Sequence, residues 1–376
     1  MESKITGNIT LENWQEDRAY GLKNLEKIVR DLFLVNAEAI RPLKISKDES
    51  ILDLPAVKSL VDHPDFDAMV ILHEDQIISE EYRNGMDVTS LHSAQSSSKT
   101  TINLLVGKAV ADGKLDLDAK VEEYISEIGE GYRGRTVRDV LSMNVMHELN
   151  ETAAYTAKDR SFFDKDEASF GWLPSKITEK NRREFIASLK AGNEDGSNEN
   201  RTGKYFYATA NTDVAGWIVE RATGVPLQEA IRGVMHAIGG ENSVYFGTDR
   251  VGIPNVGAGF VMTTRDFARY GMLLGSGGEG ISGEKVGGGM DWVKKTMEDG
   301  EVSMGHDGWF YNYSAYTSKW GIGHAGWGGQ WIWADPESKT VIAIFSGLSG
   351  DDPADPEYAA KLIDIAVEVV DHQRGK

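Results

Sequence analysis

Cysteine is missing from all 376 residues, which removes disulfides, thiolate metal sites and a cysteine nucleophile. Long apolar runs are missing too. No stretch approaches the ~20 consecutive apolar residues that a membrane-spanning helix needs. The opening residues Met1–Asn8 lack a basic segment followed by an apolar one, so no secretory signal is visible. A cytoplasmic protein is expected; a periplasmic one whose leader had been removed would read the same. Positive charge is scarce, with 40 Lys plus Arg against 59 Asp plus Glu, a net charge of −19, and no Lys/Arg-rich run. Such a surface repels polyanions, which excludes nucleic acid and anionic lipid as partners. The pattern G-x-S-x-G is absent, and with it the usual nucleophile elbow.

What is present suits an ordinary globular protein. Apolar residues make up 40% and charged residues 26% of the chain. At roughly 150 residues per domain the length suggests about two domains. The 41 glycines are well above the usual share of about 7%, so tight turns and close backbone approaches are expected.

Periodicity organises the chain. The first forty residues read as helix, with Leu22, Leu25, Ile28, Val29, Leu32 and Phe33 on one face. Residues 68–74 and 77–83 read as strands joined at Asp75-Gln76. A helix follows over 99–112, built on Ile102, Leu105, Val106, Ala109 and Val110 and closed by Gly113. Further helices are predicted over 136–143 and 212–222, the second ending in Thr223-Gly-Val-Pro226. Residues 275–289 are dense in glycine and read as a long surface connection. Strands over 330–334 and 340–345 and a helix over 357–370 close the chain. Strands thus lie at both ends, with helices between. The expectation is an α/β (α+β) fold: an antiparallel sheet formed by 1–92 and 290–376, flanked by helices, with a mostly helical domain of 93–289 inserted. The active site would sit in the cleft between them.

Several motifs fail on context. Gly321-Ile-Gly-His-Ala-Gly326 matches the dinucleotide pattern, but a strand-like segment follows it and only fifty residues remain. His147-Glu148 and His73-Glu74 lack the second histidine of a zincin helix. Asp112–Glu123 lacks the glycine an EF-hand loop requires. The surviving pattern is Ser96-Ser-Ser-Lys99. At a helix start, position +3 lies one turn along on the same face, so the lysine amine can reach the serine hydroxyl. Unpaired N–H groups of the first turn can hold an oxyanion. The lysine can take the proton only if burial lowers its pKa. Ser282-Gly-Glu-Lys285 has the same spacing but no apolar helix behind it. The plainer alternative is that Ser93 or Ser96 merely caps the helix.

A set of segments in the right order gives the motif a context. His92–Thr100, Thr136–Met143, Tyr207–Gly216, Gly257–Arg269 and Gly323–Gln330 together resemble the serine β-lactamase and penicillin-binding-protein superfamily. The resemblance is to the class C branch, with its related esterases and 6-aminohexanoate-dimer hydrolases. Leu11-Glu-Asn-Trp-Gln15 is similar to an N-terminal signature of the dimer hydrolases. The resemblance implies that Ser96 is acylated, that Lys99 accepts its proton and that Tyr207 relays a proton to the leaving group. It also implies an oxyanion hole made by the N–H groups of Ser96 and Trp327, with no metal and no cofactor. Tyr155 falls where the dimer hydrolases carry a substrate-contacting tyrosine. Tyr207 as a plain core tyrosine is the alternative, and Trp320, Trp331 and Trp333 read as strand packing.

Two departures bear on substrate. The second motif, tyrosine-x-asparagine, reads Tyr207-Ala-Thr209, leaving Asn211 or the Thr209 hydroxyl to substitute. The third, lysine-threonine-glycine, reads His324-Ala325-Gly326, and an imidazole with a methyl holds an anion less well. His324 is either substrate-facing or a buried structural residue. A serine hydrolase of a small ester or amide is therefore expected, with Thr209, Asn211, His324 and Gly326 as substrate-side candidates. A true β-lactamase or DD-peptidase-like enzyme is the alternative, and a non-catalytic binding descendant is the one from another class.

Overall fold

The structure, a computed structural model, describes residues 13–151, 161–171, 181–300, 302–349 and 355–376. Its twelve strands are β1 (Leu32–Val35), β2 (Lys44–Ile45), β3 (Phe66–His73), β4 (Gln76–Tyr82), β5 (Leu91–Ser93), β6 (Val244–Gly247), β7 (Phe260–Thr263), β8 (Phe310–Asn312), β9 (Ala315–Ser318), β10 (Gly321–Gly326), β11 (Gln330–Asp335) and β12 (Thr340–Ser346). Eight of them form one sheet in the order β2-β4-β3-β12-β11-β10-β9-β8, antiparallel except for β2 against β4. The two ends of the chain meet in the middle of this sheet, where β3 pairs with β12 in the register Ile71↔Ile342.

The central strands are buried on both faces, and the side-chain period of two divides them cleanly. Ala68, Val70 and Leu72 of β3 and Val341, Ala343 and Phe345 of β12 join one core. Met69, Ile71, Ile342 and Ile344 join the other, with Trp331 and Trp333 of β11. That second core is covered by the helices Pro55–Val61 and Pro356–Arg374, through Val57, Leu60, Leu362, Ile365 and Val369. The first is covered by helix Thr264–Gly275. There Gly271 lets the helix settle onto the sheet: a Cβ would stand 2.4 Å from Val341 Cγ1 and 2.9 Å from Ile332 Cδ1. This helix falls in the stretch that the sequence assigned to the insertion, yet it is part of the sheet's own covering. Helices Thr100–Ala111, Val137–Leu141, Thr209–Thr223 and Leu227–Ile238 lie between the two sets of sheet strands in the chain.

A second, four-stranded sheet has the order β1-β6-β7-β5 and was not foreseen. It corrects the helical reading of the first forty residues, where among the described residues only Arg18–Leu22 and Leu25–Ile28 are α-helical. Leu32 and Phe33 sit at helical spacing in the sequence but belong to β1, where Phe33 pairs with Phe246 and their rings stack at 5.6 Å. A partner some two hundred residues away decides the conformation, as strand preference commonly depends on its surroundings. The Gly321–Gly326 segment is itself strand β10. A Cβ at Gly323 would meet the Ile332 carbonyl oxygen at 2.0 Å, so the glycine serves strand packing rather than a phosphate.

Candidate active site

Strand β5 runs through Ala94 into the 3-10 turn Gln95–Lys99, which leads into helix Thr100–Ala111. Gln95 holds a left-handed φ of +47° and donates from Nε2 to Ser93 Oγ at 2.8 Å. A non-glycine residue in that region costs free energy, and such positions gather at functional sites. The three serines that follow have different fates. Ser97 Oγ donates to the His324 carbonyl of β10 at 3.0 Å, and Ser98 Oγ accepts from the Phe260 N–H of β7 at 3.1 Å. These two bonds pin the turn between the sheets. Ser96 alone of the three is only half-buried, and it lines a cavity of about 320 Å³. Its N–H belongs to the first turn, where no intrahelical acceptor exists.

Helix Thr100–Ala111 is buried almost throughout, and that is why Lys99 at its start is wholly buried. Lys99 Nζ donates to Ser96 Oγ at 3.0 Å, Thr209 Oγ1 at 2.9 Å and the Gly257 carbonyl at 3.0 Å. Loss of hydration pushes its pKa down to about 8, against the opposing pull of Glu151, Asp213 and Asp166. About a tenth of Lys99 is therefore neutral at pH 7, and about half near pH 8. Gly257 is fixed by the same cluster, since a Cβ there would lie 2.1 Å from Thr209 Cγ2.

Tyr207 lines the cavity beside Ser96, and its ring centroid is 5.1 Å from Lys99 Nζ. Gly326 and Trp327 form the opposite edge. A Cβ on Gly326 would lie 2.5 Å from the Ala94 carbonyl, so β10 passes against the backbone just ahead of the Ser96 turn. Trp327 follows in the β10–β11 turn. The N-terminal segment backs it, with Trp14 edge-on at 5.7 Å between centroids and the Arg18 guanidinium 5.5 Å from the Trp327 centroid. Tyr205, Tyr316, Leu348, Tyr358 and Leu362 give the cavity apolar and aromatic walls, and Asp355 stands at it with its carboxylate capping the last helix. No Lys, Arg or His lines it among the described residues.

The remaining candidates divide. Thr209 takes the place expected of the second-motif asparagine, with its hydroxyl on Lys99. Asn211 is not brought to the cavity: it is buried and accepts from His147 Nε2 at 3.1 Å, while His147 Nδ1 accepts from the Leu149 N–H. His324 is buried beneath the aromatic wall, stacked on Tyr316 at 4.2 Å. Its Nδ1 faces the Ala325 carbonyl and must carry the proton, so Nε2 accepts from the Tyr311 hydroxyl at 3.3 Å. Burial, aided by the nearby Lys99 charge, pushes its pKa down to about 3. It is neutral and does not line the cavity. Tyr155 lies outside the described residues. Ser282 and Lys285 are exposed on the glycine-rich connection, and the next helix, Gly289–Glu298, begins four residues past Lys285.

The sequence reading passed over one residue at this site. Glu151, in the segment set aside with His147-Glu148, is buried behind Thr209, accepting from its N–H and, at 3.0 Å, from its hydroxyl. Loss of hydration and the neighbouring Asp166 push its pKa up to about 7, while Lys99 pulls the other way. Farther in, Arg182 is buried between Asp166 and Asp213, bonding Asp213 Oδ2 at 2.8 and 2.9 Å. No motif spacing announces Glu151; only the fold closes the 58 residues that separate it from Thr209.

A serine and a buried lysine one turn apart, a tyrosine beside them and a glycine-ended strand edge, set between helices and an antiparallel sheet, suit a serine hydrolase of the β-lactamase type. The chain belongs to the β-lactamase family: the family profile described as Beta-lactamase matches residues 60–366. It is 28% identical over 364 residues to a 6-aminohexanoate-dimer hydrolase of Paenarthrobacter ureafaciens, covering 92% of this chain and 90% of that one. Among solved structures, a Bacillus anthracis protein assigned as a 6-aminohexanoate-dimer hydrolase superposes with a TM-score of 0.80 at 20% identity, over 100% of this chain and 99% of the other. EstA from Arthrobacter nitroguajacolicus superposes with a TM-score of 0.57 at 16% identity, over 91% and 99%.

Proposed function

We propose that the protein hydrolyses a small ester or amide through an acyl-Ser96 intermediate. The observation that carries this reading is the 3.0 Å contact between a buried, neutralisable Lys99 amine and the one hydroxyl of the Ser-Ser-Ser run that faces the cavity. Neutral Lys99 takes the Ser96 proton as Oγ attacks the carbonyl carbon. The oxyanion that forms is held by the N–H groups of Ser96 and Trp327. Tyr207, against the ammonium so created, passes a proton to the leaving oxygen or nitrogen. Water then attacks the acyl-serine and gives a proton to the Tyr207 phenolate, the acid departs, and Lys99 returns its proton to Ser96 Oγ.

The walls argue for the substrate class. A carboxylate-bearing β-lactam meets no cationic side chain among the described lining residues, and the third-motif position holds a neutral His324. A neutral or amine-bearing acyl group fits aromatic walls better. The kinship with a 6-aminohexanoate-dimer hydrolase favours the same class. The test is turnover of p-nitrophenyl acetate, 6-aminohexanoate dimer and nitrocefin by wild type and Ser96→Ala. The reading expects turnover of the ester or the dimer well above nitrocefin, abolished in the variant. Turnover of nitrocefin alone would overturn the substrate class, and activity surviving in Ser96→Ala would overturn the chemistry.

A further inference from the structure

A lysine amine that must receive a proton has to point its lone pair at the donor. Counting donors and acceptors around Lys99 says what aims it. An ammonium offers three N–H bonds, and Ser96 Oγ, Thr209 Oγ1 and the Gly257 carbonyl take one each. A neutral amine has two N–H bonds and one lone pair, so one of the three neighbours must become the donor. The Gly257 carbonyl has no proton to give. Thr209 has one, but it is committed: its hydroxyl donates to Glu151 Oε2 at 3.0 Å, so its oxygen can only accept from Lys99. Of these three described neighbours, Ser96 is the one left able to donate to the lone pair.

We propose that Glu151 is a positioning residue: its carboxylate, acting through the Thr209 hydroxyl, turns the lone pair of neutral Lys99 toward Ser96. The inference rests on the Ser96–Lys99 reading above and adds to it a carboxylate that touches no reacting atom. Glu151 also accepts from the Thr209 N–H, so both its oxygens are occupied by one residue and the hydroxyl has a single favourable direction. A glutamine breaks this pattern. Its oxygen keeps the Thr209 N–H, its NH₂ donates to the Thr209 oxygen, and the threonine proton swings toward Lys99, where it competes with Ser96 for the lone pair.

The groups facing the pair from surrounding elements are Asp166 of helix Ser161–Ser169, Arg182 of helix Arg182–Ser188 and Asp213 of helix Thr209–Thr223. Among the described residues, the Tyr132 and Tyr311 phenols, both held well above their ordinary range by burial, and neutral His324 also face the pair, and Tyr207 lies on the cavity side. Removing the Glu151 charge removes a pull that raises the Lys99 pKa, so the lysine loses its proton at lower pH in Glu151→Gln. Two changes of opposite sense follow. The high-pH plateau of kcat falls, on the scale of about 100-fold that positioned proton transfer supplies, while the acid limb of the profile moves to lower pH.

The experiment measures kcat and KM for p-nitrophenyl acetate across the pH range in wild type, Glu151→Gln, Thr209→Val, Thr209→Ser and Ser96→Ala, with circular dichroism as a fold control. Expected are the lowered plateau and shifted limb in Glu151→Gln, a comparable plateau loss in Thr209→Val, and recovery to near wild type in Thr209→Ser, with KM little changed. A folded Glu151→Gln enzyme with the wild-type plateau and limb would overturn the inference, as would a Thr209→Ser enzyme as impaired as Thr209→Val. If Ser96→Ala is inactive in the same series, the nucleophile assignment stands whatever the Glu151 result; if it turns over normally, that assignment is the one that fails.

Discussion

Gly326 offers a test of how the proposed oxyanion hole is set. A Cβ added there would lie 2.5 Å from the Ala94 carbonyl oxygen and 2.8 Å from Gln330 Cβ. The first obstacle is the backbone leading into the Ser96 turn and the second belongs to the paired strand β11, so neither swings aside cheaply. Restoring an ordinary contact of 3.4 Å from 2.5 Å requires β10 and the nucleophile turn to part by about 0.9 Å. A displacement of that order at a reacting centre costs on the order of 100-fold, and loss of one oxyanion donor costs about 2.7–4 kcal/mol of transition-state stabilisation. Overpacking itself costs about 1–3 kcal/mol of fold stability. Gly326→Ala is therefore expected to remain folded, with a modestly lower melting temperature, and to lose about 100-fold in kcat on p-nitrophenyl acetate while KM changes little. Steady-state kinetics beside thermal denaturation checks this. Wild-type kcat in a folded Gly326→Ala enzyme would refute the claim that this close approach sets the donor positions.

Other consequences are as direct. With a neutral ester, kcat/KM should rise with pH as Lys99 loses its proton, toward a plateau above about 8, because the protonated amine cannot act as base; a stopped-flow pH series measures it. His147 and His324 have pKa values lowered to about 4 and about 3 by burial, so from pH 6.5 downward these two side chains bind fewer protons in the folded chain than in the unfolded one, while Glu151 and Asp213, raised to about 7 and about 6, act in the opposite sense. The stability the two histidines contribute is present above pH 6.5 and is lost as pH falls, by up to ~1.4 kcal/mol per pH unit for each. The test is the difference between variants: with urea midpoints taken at pH 7.5 and 5, His324→Asn should gain stability relative to wild type at the lower pH. Arg182→Met leaves Asp166 and Asp213 buried without their cation and should destabilise the fold by about 3–5 kcal/mol, measured by urea unfolding.

The Ser96–Lys99 contact was legible because the serine–lysine spacing ran into an apolar helix, and the central strands because their buried runs were bounded by turns. Two candidates at the second motif were separable only in three dimensions. Helix Thr209–Thr223 begins two residues past Tyr207, so Thr209 and Asn211 differ by about 200° around its axis. One meets Lys99 and the other meets His147. Glu151 left no local trace, since its partners are supplied by a helix 58 residues on. The small sheet was hidden for a similar reason: β1 and β5 are short and pair with strands far along the chain. The His324 charge state depends on burial and on which ring nitrogen meets a carbonyl, neither of which is written in residue order.

Intact-protein mass spectrometry after exposure to a fluorophosphonate probe, with peptide mapping, bears most directly on the central claim that Ser96 is made nucleophilic by Lys99. The account predicts a single adduct on Ser96, absent in Ser96→Ala and slowed greatly in Lys99→Met. An adduct on Ser282, or one that persists in Ser96→Ala, would contradict it.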